Sequence, residues 1–173
     1  MDNTFYELSW VKEPLFDTKS VKLEETKVDF FNECVYEDNC ISNIMEYKTN
    51  KACQFLLHGI NMSFINFEID PIILWTIHNF GILKISIANT DACWSLPMGQ
   101  IPVHFSGDIP INYYDLRIIN NKQFKEPILS RSGYYPEATI YLPQNYLSKF
   151  DKNTTLTIRL YLIGMMGKPK PNN

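Results

Sequence analysis

The chain has 173 residues, 45% of them hydrophobic and 20% charged, with a formal net charge of −3. That length fits one domain able to bury a core, and that composition excludes a disordered chain. The longest apolar run, Ile72–Ile77, is far short of the ~18 residues a transmembrane helix needs, so no transmembrane segment is expected.

Charge is unevenly placed. Residues 1–50 hold eleven acids against five lysines, giving −6, and the remainder holds eight acids against eleven basic residues, giving +3. No basic stripe forms, which argues against nucleic acid as a direct ligand. The opposite signs allow the acidic third to pack on the rest, or to steer one copy towards another. The opening residues, MDNTFYELSW, lack a basic segment followed by an apolar one. This predicts no cleavable secretory signal, and a place inside the cell or in an assembled particle.

Taken in chain order, NTFYELSW fits a short strand, and SVKLEETKVDFF alternates at Val21 and Leu23. Helical spacing at Leu23, Lys27 and Phe30 competes, but strand and extended arm are the expectation. Residues 34–50 read as an irregular connection. ACQFLLHG is an apolar run ending in a turn at Gly59, and INMSFINFEI alternates with a phase shift at Phe64 and Ile65, the mark of a β-bulge. IILWTIH suits a strand buried on both faces or a short buried helix. With ILKISIAN it predicts a hairpin-like pair around residues 79–81.

Pro97, Gly99, Pro102, Gly107 and Pro110 then punctuate a region with room for short strands at 103–105 and 114–119. A long loop is expected from Asn120 to Glu137. ATIYL and TTLTIRLYLIG supply the last two strands. The second is the most regular in the chain, with Leu156, Ile158, Leu160 and Leu162 on one face and Thr155, Thr157, Arg159 and Tyr161 on a wet one. The tail GMMGKPKPNN, with its glycines and prolines, should leave the sheet.

Eight to ten short strands with little helix predict an all-β fold, an antiparallel β-sandwich of jelly-roll type with extended termini. One domain spans 1–173: an acidic, less regular part at 1–50, the sandwich core at 52–163 and an extended tail at 164–173.

Residues that carry chemistry form no recognisable pattern. His58, His78 and His104 belong to no ligand pair at fixed spacing, and no metal site or cofactor is expected. His104, Ser106 and Asp108 in HFSGD read as a turn rather than a triad, whose members meet across space. FDKNTT, with Asp151 and Asn153, reads as a strand connection rather than a calcium loop. Cys34 and Cys40 sit at a spacing that allows a disulfide, but free thiols are expected; Cys53 and Cys93 read as small core residues. The sequons at Asn61 and Asn153 carry no weight without secretion.

Contact residues are the stronger theme. Arg131, Tyr134 and Tyr135 in SRSGYYPE combine large contact area with directional hydrogen bonding. Tyr113, Tyr114 and Trp94 would join them if loops converge at one end. The bland alternative is that these rings cap the core. The expected function is therefore non-enzymatic: a structural protein that self-associates through loops and terminal arms as a homo-oligomer, like a subunit of a virus capsid or other shell. A glycan-binding module or adhesin using the same rings is the alternative, and a membrane-active toxin a third.

Overall fold

The computed structural model describes residues 8–12, 14–32, 54–65, 69–88, 90–101, 103–105, 122–131 and 135–170. The expected structure at 34–50 and 114–119 and the Cys34–Cys40 pair lie outside them, as does Cys53. The described residues are mostly β, in two antiparallel sheets, one of them a curled half-barrel. This strand order does not establish a jelly roll.

The larger sheet is built on β10 (Thr155–Pro169). Its alternating Leu156, Ile158, Leu160 and Leu162 are all fully buried, as the sequence predicts. The opposite face is less wet than expected, because Tyr161 is also buried. On one side β10 pairs with β4 (Gln54–Phe64). On the other it pairs with β1 (Leu8–Lys12) and β2 (Leu15–Lys22). Leu8 faces Pro169, Lys12 faces Met165, Leu15 faces Leu162 and Lys22 faces Thr155, so β1 and β2 lie end to end in one register. Pro14 falls at the join, where it has no N–H to give a ladder. Beyond β4 come β8 (Lys122–Arg131), antiparallel, and β7 (Val103–Phe105), the single parallel pairing among the described strands.

The smaller sheet runs β3 (Lys27–Phe30), β9 (Pro136–Tyr141), β5 (Ile82–Ile87), β6 (Cys93–Pro97). Val28, Phe30, Leu83, Ile85, Ala138 and Ile140 turn inward and share one core with Leu156–Leu162, Phe55, Ile60 and Met62 of the larger sheet. At the end of β3, Phe31 takes a left-handed φ of 64°. A bulky residue adopts that conformation only when its surroundings hold it. Here the buried Asp17 carboxylate accepts the Phe31 N–H at 2.7 Å, and the ring itself is fully buried.

Several sequence expectations are overturned. IILWTIH forms no half of a hairpin; of its two readings it takes the helical one, as helix α1 (Pro71–Phe80). Asp70 caps it by accepting the Ile72 N–H at 2.8 Å, and Pro71 fits the first turn, where its missing N–H costs nothing. Ile73, Leu74 and Ile77 then fall on one buried helical face. Gly59 is not a turn but lies within β4, and the bulge sits at His58 rather than at Phe64 and Ile65. The β4 register shifts there against both neighbours, between Ile163 and Gly164 on β10 and between Leu57 and Gly59 towards β8. His58 Nε2 is buried at this bulge without a hydrogen-bond partner among the described residues.

The expected loop 120–137 contains β8, and the tail stays in the sheet as far as Pro169. Its glycines do not end the strand because the neighbouring chains need the room they leave. Cys93 is exposed on β6 rather than in the core.

Gly164 explains how the bulge packs. A Cβ there would meet the Leu56 carbonyl oxygen and lie 2.6 Å from Phe55 Cζ, so only glycine lets β10 pass the kink in β4. Gly164→Ala is expected to destabilise the fold by about 1–3 kcal/mol, the usual range for overpacking. Urea unfolding followed by circular dichroism measures this, and an unchanged midpoint would show that the strands yield there freely.

Candidate functional site

Helix α1 buries one face and leaves another apolar face outward. Ile72 and Trp75 are exposed on it, and Phe80 ends it in the same state. Three contacts fix the helix end. His78 Nε2 lies 2.9 Å from the Ile101 carbonyl oxygen, the Asn79 amide donates to the Trp75 carbonyl at 2.8 Å, and Met98 N–H donates to Gly81 O at 3.0 Å. A Cβ on Gly81 would lie 2.6 Å from both the Ile77 carbonyl oxygen and Met98 Sδ. Glycine therefore allows the chain to pass directly from α1 into β5, setting Phe80 and Ile82 two residues apart.

The short helix α2 (Gln144–Leu147) brings the third ring. Leu147 is buried and Tyr146 faces out. Gln144 holds α2 in place by donating Nε2 to the carbonyl of Leu23 at 3.0 Å and to that of Glu25. Leu142 N–H donates to Thr26 O at 2.9 Å alongside. Phe80 stacks on Tyr146 at 4.2 Å between centroids and 12° between planes, and Trp75 meets Phe80 edge-on at 5.7 Å. Trp75 is 58% exposed and Tyr146 50%.

The platform continues onto the outer face of the smaller sheet. Ile82 and Tyr141 are register partners and both exposed, and the Tyr141 carbonyl oxygen lies 3.4 Å from the Gly81 Cβ position. Lys27 is the other register partner of Tyr141 and pairs with Asp29 at 2.7 Å, while Thr139 Oγ1 donates to the second Asp29 oxygen at 2.7 Å. The rim beside the rings is thus charged but internally neutralised.

Those residues singled out from sequence that are described lie elsewhere. Trp94, opposite Ile85 on β6, and Tyr135, just before β9, are half-buried and pack against the core. Arg131 ends β8 in the other sheet, opposite Gln54. Tyr134, Tyr113 and Tyr114 lie outside the described residues. Among the described residues no three His, Cys, Asp or Glu side chains come together as an ion site. Asn61 of the first sequon is buried. Sequence reading misses the platform because it leaves IILWTIH open between a buried strand and a short buried helix and pairs it in a hairpin broken at residues 79–81. The signal was available: Asp70 and Pro71 mark a helix start, and Ile72 and Trp75 are then three apart on one face.

Partial burial acts on Asp29 against ionisation, but the hydrogen bonds from Lys27 and Thr139 and the Lys27 charge outweigh it, so its carboxyl titrates below the ordinary 3.8. The Asp29 hydrogen bond correspondingly raises Lys27. A carboxyl depressed in the folded state stabilises it in full above the ordinary value, and that contribution is lost as pH falls through the depressed one. Asp29→Asn should therefore flatten the fall in unfolding free energy between pH about 5 and about 2, an effect kept modest by solvent at both side chains. Denaturant titrations at stepped pH test it, and identical slopes for both proteins would show that the pair contributes nothing.

The chain matches no protein-family model, no curated protein and no solved structure.

Proposed function

We propose that this chain is a non-enzymatic structural protein that assembles with copies of itself, its two sheets closing as a sandwich of jelly-roll type in the manner of a shell subunit. One observation carries the reading: six exposed large apolar side chains, Ile72, Trp75, Phe80, Ile82, Tyr141 and Tyr146, of which Trp75, Phe80 and Tyr146 pack ring on ring and Ile82 and Tyr141 pair on the sheet beside them. Side chains of this size, each about half exposed, offer roughly 600 Å² together. That reaches the upper end of the largest apolar patch on a typical monomer and approaches the ~800 Å² per partner of a standard interface. A two-fold contact brings the same patch from both copies together and needs no complementary charge, which suits rings set beside a neutralised Lys27–Asp29 pair. Charge elsewhere, −6 over residues 1–50 against +3 over the rest, adds steering between copies.

A second reading draws on the same rings. Trp75 and Tyr146 are open enough to stack on a sugar, so a glycan-binding module is the alternative, with this platform in place of the loop tyrosines.

Light scattering across a concentration series separates the two. Assembly predicts a mass above the monomer that collapses in Trp75→Ser and Tyr146→Ser with unchanged circular dichroism. Each truncation should cost about 2 kcal/mol or more, roughly thirty-fold in the dissociation constant. A strict monomer at high concentration would end the assembly reading, and glycan-array binding lost in Tyr146→Ala would then replace it.

A further inference from the structure

Strand β1 is an unusual member of the larger sheet. None of its five residues is buried; Trp10 is 40% exposed and Val11 46%. Its continuation β2, by contrast, places Leu15, Asp17, Thr18 and Val21 in the interior. Releasing β1 therefore draws no buried side chain of its own out of the core. What holds it is a five-residue ladder to Lys12–Met165 through Leu8–Pro169, together with one shaped contact. Gly167 is the register partner of Trp10, and a Cβ there would lie 3.2 Å from Leu8 Cδ1 and from the Trp10 atoms Cη2 and Cζ3. The missing side chain is a seat into which Leu8 and Trp10 settle.

That seat is portable. Every copy has the same β10 edge, occupied by its own β1, and the same Gly167, so the β1 of a second copy that replaces it makes the same bonds. β1 and β2 are separate stretches of the β10 pairing, ending at Lys12 and beginning at Leu15, so β1 can part from β10 while β2 stays paired. Exchange of an identical element is a low-cost route to association because the local contacts cancel between the two forms. Adding a strand to an edge is also a general mode of recognition.

From this we infer that β1 is an exchangeable arm, and that the edge of β10 from Met165 to Pro169 receives residues 8–12 of a second copy. The inference rests on the self-association reading and extends it by naming a segment and its receptor, separate from the aromatic platform.

The test uses Ser9 and Lys168, which face each other in the register. Full-length Ser9→Cys protein and ¹⁵N-labelled Lys168→Cys protein are refolded together and treated with a short bis-maleimide. Peptide mass spectrometry then identifies links between positions 9 and 168, irrespective of the native cysteines. Exchange predicts mixed-isotope 9–168 links, which fall several-fold when Gly167→Val fills the seat in the labelled copy. A Ser9→Cys/Lys168→Cys double variant reports the pairing itself, and its failure to link in any form would overturn the proposal. Links confined to single chains, in a protein whose mass exceeds the monomer, would overturn exchange and leave self-association standing. A monomer at every concentration would overturn both.

Discussion

The hydrogen-bond ladder of β10 is the constraint on which the larger sheet depends. Fifteen residues serve three partners: β4 on one edge, and β2 then β1 on the other. The first half of the strand alternates strictly and supplies core. The second half carries Gly164 and Gly167, which supply space instead of side chains. At Gly164 the neighbouring strand comes too close for a Cβ, against Leu56 and Phe55, and at Gly167 a Cβ would sit tightly against the side chains of Leu8 and Trp10. One strand thus changes its role midway, from filling the interior to admitting neighbours.

A different economy governs α1 and α2. They close the core with Ile73, Leu74, Ile77 and Leu147, yet leave Trp75, Phe80 and Tyr146 outside in contact with each other. Mutual ring packing recovers part of the exposed area, and the rest stays open. Placing such rings on short helices anchored by Gln144 and His78 makes a stiff surface rather than a pliable one. Little ordering is then left to do on contact, which favours affinity.

Legibility from sequence followed the physics of each segment. Strands with one buried and one outward face were readable: Leu83, Ile85 and Ile87 mark β5, and Leu156–Leu162 mark β10. Segments whose faces are not clearly distinguished were misread. The run Ile60–Phe64 is buried at every position, so its alternation carried no information about direction, and the bulge was placed at the wrong residue. The run that forms α1 reads equally as a buried strand or a short buried helix, and only Asp70–Pro71 favours the helix over the hairpin. The tail was expected to leave the sheet since glycine and proline weaken strands in general. The reason it stays is tertiary: Leu8, Trp10 and Phe55 need the vacated volume. The platform fared similarly, since Tyr146 meets Phe80 only through the fold, and no local pattern links positions 66 residues apart.

The pairing of β2 with β10 has a consequence in time. Ser20 and Thr157, whose hydroxyls meet at 3.1 Å, are separated by 137 residues. During synthesis β2 therefore waits without its partner while nearly the whole of the intervening chain is made, and Leu15 and Val21 wait with it, uncovered. Closing so distant a pair is intrinsically slow. An incomplete chain in that interval has a bare apolar strand edge available to any other incomplete chain nearby. The moment of greatest exposure to a stray neighbour thus falls just before the nascent chain can close on itself.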